Sequence, residues 1–302
     1  MKHNKRYWLR LGGFFGVTLT VAVVSLPFAL GVLSTLGLLY APCVGDDPHS
    51  QEYGYTWEDV TLEAQAGGTF RGYFIHGHNG ATIIMPPTGS SGRAGRWPQT
   101  QLLVEHGYAV FTFESRRCAG MGPLSLGYDE VDEVADALDY LLTRPDVDPE
   151  RIGIYGFSSA GATALMAAAR LSEIDAVIAE GGYGDFFKNA LGQTTRRDFV
   201  GLVERAYRRP FRPTYRWVIG HDLERLSPVS VIDQIAPRPI LLIYGSREVS
   251  LAGGREQLAA AGDNAELWVV EGAGHGDYLA VAPAEYKARL VGFFDEALVV
   301  GE

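Results

Sequence analysis

Apolar and polar positions change period in a regular way along this chain. Residues 57–64 and 70–76 alternate like two short strands, joined across Ala66-Gly67-Gly68. His78-Asn79-Gly80 predicts a turn, because Asn-Gly readily takes positive φ, and an apolar strand follows at 81–85. The pattern then predicts a helix near 95–106, a strand at 108–113 and a Gly-rich loop at 114–127. Over 129–143 the period lengthens to that of a helix, with Val131, Val134, Leu138 and Leu141/Leu142 on one face. Strands at 151–155 and 175–179 flank an Ala-rich helix at 160–170. Strand, helix and strand follow at 239–244, 251–261 and 266–270, and an amphipathic helix at 283–298 closes the chain.

An antiparallel start followed by repeated β–α units predicts a mostly parallel sheet covered by helices on both faces. Short, continuously apolar strands suit burial on both sides.

One segment breaks this pattern. From Leu11 to Tyr40 no residue is ionisable except Tyr40 itself. Thirty residues of helix would reach roughly 45 Å, against a hydrocarbon core of about 30 Å. The segment is therefore expected to be a single transmembrane signal anchor over 11–40, with Pro27 a point for a kink. Lys2, Lys5, Arg6 and Arg10 precede it in a basic tail of residues 1–10, and Asp46, Asp47 and Glu52 follow. That asymmetry predicts a cytoplasmic start and an extracytoplasmic domain. A cleaved signal peptide is the alternative, with Ala29-Leu30-Gly31 as a loose cleavage pattern. Residues 41–56 are polar with Pro and Gly and are expected to be a linker, leaving 57–302 as the folded domain.

The chain has 302 residues, 47% of them hydrophobic, and a net charge of −10. The acidic balance is a poor match to nucleic acid. Cys43 and Cys118 are too few for a disulfide framework; one bridge between them is possible in an oxidising compartment and stays open. No Cys/His cluster suggests structural zinc.

Chemistry enters at Arg151–Gly161, where an apolar strand runs into a turn of small residues with Ser158 at its tip and a helix directly after. Such a turn lifts the serine hydroxyl off the carboxyl edge of the sheet and needs small residues two places before and after it. Gly156 and Ala160 hold those places. Ser159 is the rival nucleophile, but Phe157 in its −2 place is too large.

A serine hydroxyl needs an adjacent base, and the base an orienting acid. The loops after the last two strands supply His275, between glycines, as base and Glu248 as acid, with Asp277 and Asp233 competing for the acid's place. The oxyanion of acyl transfer needs two backbone N–H donors. Ser159 is the first. The second must come from the loop after residue 85, where Pro86 and Pro87 have no N–H and Thr88 does.

Together these residues resemble the serine hydrolases of the α/β-hydrolase superfamily over about residues 55–300. The resemblance rests on Gly156-Phe-Ser158-Ser-Ala160-Gly161, Gly245-Ser-Arg-Glu248, Gly272-Ala-Gly-His275 and the acidic-x-Arg segment Phe113-Glu114-Ser-Arg116. Ala160, Pro86-Pro87 and Glu248 depart from the commonest pattern. The resemblance implies an α/β-hydrolase fold with a lid insertion, here 184–238. It also implies hydrolysis of an ester, thioester or amide through an acyl-enzyme, with no cofactor; the expected reaction is cleavage of an ester or thioester of a small-molecule or lipid acyl substrate. A peptidase or amidase, and a non-catalytic binding protein, are the alternatives. Within the insertion Arg196, Arg197, Arg205, Arg208, Arg209, Arg212 and Arg216 stand against Asp198 and Glu204, interleaved with Phe199, Tyr207, Phe211, Tyr215 and Trp217. Either this is a solvated helix face with an aromatic underside, or it faces anionic lipid or an acidic substrate.

Overall fold

The structure, a computed structural model, describes residues 14, 21, 23, 25–45, 55–190 and 195–299. The chain divides into two compact units. One groups Met1–Leu39 with Leu191–Leu223, and the other holds Tyr40–Ala190 and Glu224–Glu302.

The larger unit is built on one eight-stranded sheet in the order β1-β2-β4-β3-β5-β6-β7-β8. Its strands are β1 (Trp57–Glu63), β2 (Thr69–Ile75), β3 (Thr82–Met85), β4 (Ala109–Phe113), β5 (Ile152–Phe157), β6 (Ala176–Glu180), β7 (Ile240–Gly245) and β8 (Ala265–Val270). β2 pairs antiparallel with β1 and β4, and the other neighbours are parallel. The period of two sends successive strand residues to opposite cores. Ile84 and Phe111 pack with α2 (Glu130–Leu142), α3 (Ser159–Arg170) and α6 (Leu251–Ala261). Ile83 and Val110 pack with α1 (Trp97–Glu105) and α8 (Pro283–Phe294) on the other face. On α2 the expected stripe is buried except for Leu142, which is exposed at the helix's last residue.

The acidic-x-Arg segment is structural. The buried Glu114 accepts from the backbone and guanidinium of Arg71 at 3.0 Å, and Arg116 pairs with Asp129.

Cys43 and Cys118 form a disulfide. Val44 pairs with the loop after β3: its N–H donates to Ser90 at 2.9 Å, and it accepts from Gly92 at 2.9 Å. The start of the segment expected to be a linker is thus fastened to the body, and residues 46–54 lie outside the described residues. Of the expected lid, Ile232 and Ile235 are buried in the main core, so the flank after Leu223 belongs to the body. Residues 199–208 and 211–219 form α4 (Phe199–Arg208) and α5 (Phe211–Ile219) of the smaller unit.

The basic tail at 1–10 and most of 11–24 lie outside the described residues, and residues 25–39 are helical through Pro27. Among the described residues no helix is long and apolar enough to cross a membrane.

Candidate active site

β5 ends at Phe157, and α3 begins at Ser159. Ser158 between them sits at φ 57°, ψ −122°, a left-handed conformation that costs a non-glycine residue about 1–3 kcal/mol. The turn closes so tightly that a Cβ at Gly156 would overlap the carbonyl of Ala160. Ala160 is itself buried, so its methyl fits where glycine is commoner. The Ser158 N–H donates to the Glu180 carbonyl at 2.7 Å, which ties the turn to β6.

The loops after β7 and β8 lie side by side because the two strands pair through Gly245 and Val270. Ser246 N–H donates to Val270 at 3.0 Å, Arg247 N–H to Ala273 at 3.0 Å, and Gly272 N–H to Ser246 Oγ at 2.9 Å. This lacing sets His275 beside Glu248. His275 Nδ1 lies 3.1 Å from Glu248 Oε2, and its Nε2 lies 3.0 Å from Ser158 Oγ. Asp277 starts the short helix α7 (Tyr278–Val281) and Asp233 lies in a 3-10 turn, so neither takes the place of Glu248. Glu271 accepts from Ser246 Oγ at 3.1 Å.

To reach β5 from β8, His275 crosses the end of β6. Gly181, at φ 59°, opens that passage: a Cβ there would lie 2.9 Å from two atoms of the imidazole and 2.5 Å from the Tyr278 hydroxyl. The imidazole also packs on Phe157, ring centroids 4.8 Å apart, and the Arg96 guanidinium lies 4.1 Å from the centroid of that phenyl ring.

Glu248 is buried, which raises its pKa, but its hydrogen-bond donors outweigh that and hold it below the ordinary carboxylate value. They are His275, Ser250 Oγ at 2.6 Å, the Tyr278 hydroxyl, and Gly245 N–H at 2.7 Å. It therefore stays ionised next to the imidazole. Beneath the turn, Glu180 accepts from the hydroxyls of Tyr155 at 2.7 Å and Tyr286 at 2.5 Å, and Arg96 lies 3.6 Å away. Burial pushes Glu180 up to about 7, against the pull of these partners.

The loop carrying Thr88 is tied to the serine turn by two side chains. Thr88 Oγ1 donates to the Phe157 carbonyl at 3.1 Å, and Gly89 N–H donates to Ser159 Oγ at 3.0 Å. Ser159, the rival nucleophile, thus spends its hydroxyl as a brace. Its own N–H belongs to the first turn of α3, where amides lack helical partners and the dipole is positive.

The structure therefore brings Ser158, His275 and Glu248 into one chain of hydrogen bonds and sets the Thr88 loop against the serine turn. Sequence reasoning missed Gly181, Ser250, Tyr278, Glu180 and the bracing roles of the Thr88 and Ser159 hydroxyls. The positions of Tyr278, three residues past His275, and of Gly181, next after a strand, carried the only local hints.

Residues 48–200 match the family described as X-Pro dipeptidyl-peptidase (S15 family). That stretch holds Thr88 and Ser158; Glu248 and His275 lie beyond it. An uncharacterized protein of Mycobacterium tuberculosis is 27% identical over 270 residues, 85% of this chain and 87% of that one. In three dimensions the chain is similar to the esterase Pf2001 of Pyrococcus furiosus, with TM-score 0.67 and 21% identity over 85% of this chain and 99% of that one. It is also similar to the acylaminoacyl peptidase of Pyrococcus horikoshii, with TM-score 0.63 and 19% identity over 82% of this chain and 42% of that one. These structural likenesses speak for the fold. The sheet order, the strained serine at the end of β5 and the family match over half of the sequence lead to one assignment: the chain belongs to the X-Pro dipeptidyl-peptidase (S15) family of α/β-hydrolases.

Proposed function

We propose that this chain is a serine hydrolase that cleaves a carboxylic ester or thioester through an acyl-enzyme. The observation that carries the reading is the hydrogen-bonded series Ser158–His275–Glu248, with 3.0 and 3.1 Å steps. In the proposed reaction the Ser158 hydroxyl attacks the acyl carbon as its proton passes to His275 Nε2. Glu248 keeps the proton of the ring on Nδ1 and stabilises the imidazolium. The N–H groups of Thr88 and Ser159 receive the oxyanion. His275 returns its proton to the leaving alcohol or thiol, and water, activated by the same imidazole, releases the acid. No cofactor takes part in these steps.

A second reading is hydrolysis of an X-Pro amide, favoured by the family match. A free carboxylate to hold the substrate's ammonium group would favour release of a dipeptide. Among the described residues, Glu248 and Glu180 beside the serine turn are already engaged by Ser250, Tyr278, Gly245 and His275, and by Tyr155, Tyr286 and Arg96. That supports the ester or thioester reading. A panel of p-nitrophenyl esters, acyl thioesters and X-Pro anilides tests it. Turnover of the anilides alone would transfer the assignment to the second reading. A folded chain that turns over none of them, and takes no fluorophosphonate label, would leave a binding protein.

The proposal includes a membrane setting, with residues 11–40 as anchor and the hydrolase body outside the cytoplasm. The Cys43–Cys118 disulfide supports it, since such bonds persist in oxidising compartments.

A further inference from the structure

In the smaller unit the burial pattern runs opposite to that of a helix in water. On the helix at 25–39, Gly31, Thr35 and Leu39 are buried at intervals of four residues, and Thr35 Oγ1 donates to the Gly31 carbonyl at 2.7 Å. The other side presents Leu26 and Leu33, each 62% exposed, with Leu30 exposed between them. A water-facing helix turns its polar side outward. Gly31 and Thr35 inward with Leu26, Leu30 and Leu33 outward suit a lipid environment.

This helix meets α4 at backbone distance. A Cβ at Gly31 would overlap the Tyr207 carbonyl and lie 2.7 Å from Pro210 Cγ. α4 is capped by Asp198, whose Oδ1 accepts from Gly201 N–H at 2.9 Å. It leaves Phe199, 63% exposed, together with Val200 and Tyr207, exposed on its surface. On α5 the tyrosine Tyr215 is buried, and Trp217 is 80% exposed. Arg197 and Arg209 are exposed around these residues, as is Arg216, which pairs with Asp222 at 3.3 Å. Between Arg196 and Trp217 seven arginines face two acids, in a chain whose net charge is −10. Outward tryptophan and tyrosine beside arginine are the groups that the boundary between headgroups and acyl chains accommodates.

The geometry points to α4 and α5 as a second lipid-binding element, an amphipathic pair that lies on an anionic bilayer beside the 25–39 helix. Phe199, Tyr207 and Trp217 enter the acyl boundary, and the exposed arginines meet lipid phosphates. The inference takes its setting from the anchor reading above but has its own surface and its own test.

The full-length chain is mixed with vesicles of phosphatidylcholine, alone or with phosphatidylglycerol, carrying brominated acyl chains. Subtracting the fluorescence of Trp217→Phe from that of the wild type isolates Trp217. The expected result is quenching of Trp217 in the anionic vesicles. Joint Arg197→Glu and Arg209→Glu substitution should raise the lipid concentration for half-quenching at least about tenfold, with unchanged circular dichroism. If that pair alters the circular dichroism, Arg197→Gln with Arg209→Gln replaces it and should move the midpoint in the same direction. Unquenched Trp217, equal quenching in neutral vesicles, or no response to the arginine variants overturns the proposal, as does burial of Trp217 by a second copy of the chain without lipid. Carbonate-resistant flotation without Trp217 quenching would keep the anchor and remove this element. Salt-sensitive flotation with quenching would keep this element and remove the anchor. Neither flotation nor quenching would remove both.

Discussion

In the proposed reaction Ser158, His275 and Glu248 divide one task by environment. The serine is held strained at φ 57°, the imidazole stands exposed between two partners, and the carboxylate is buried among donors that keep it charged. Ser158→Ala should abolish fluorophosphonate labelling and lower turnover by about 10⁶-fold. Glu248→Gln keeps the shape but removes the charge that selects the Nδ1–H tautomer, so kcat should fall by roughly 10⁴-fold. Gly181→Ala is the sharper test of geometry. Its methyl would meet the imidazole at 2.9 Å, so activity should collapse by about 10²-fold or more through misplacement of the base, while circular dichroism is retained.

At the level of elements, the site exists because loops from three parallel strands meet at one sheet edge. β7 and β8 are neighbours, so Glu248 and His275 are held by local lacing; β5 is two strands from β7, so His275 must reach across β6. The loop after β3 is braced to the serine turn through Thr88 and Ser159 and to Val44 through backbone bonds. The Cys43–Cys118 disulfide holds Val44 there across a separation of 75 residues. By chain entropy, a loop of that length corresponds to about 4 kcal/mol. Replacing both cysteines by serine should therefore lower the urea midpoint by an amount worth roughly 2–4 kcal/mol. Because the same segment borders the Thr88 loop, kcat should fall more than KM changes.

For the whole molecule, the buried Glu180 couples protonation to stability. Its pKa is raised from 4.5 to about 7 in the folded chain, so the native state binds the proton more tightly than the unfolded one. The resulting stabilisation is complete below about pH 4.5 and is lost as pH rises through 7. Across that window the wild type should lose stability relative to Glu180→Gln, read as urea midpoints at several pH values. Parallel midpoints for the two proteins would show that Glu180 is not protonated in the native state.

Much of this molecule could be read directly from its residues, for a local reason. Period, turn residues and apolar runs act over a few positions. They set the strand and helix order, the parallel sheet, and the serine turn with its small neighbours Gly156 and Ala160. Chain order then marked the loops that carry His275 and Glu248. What lay beyond reach was contact between distant positions: the pairing of Cys43 with Cys118, the opening at Gly181, the donors around Glu248, and Glu180 beneath the serine. The division of residues 184–238 between body and smaller unit was equally hidden, since Ile232 and Ile235 look like any other apolar residues until the core closes around them. Such features depend on which surfaces meet, and only the folded chain decides that.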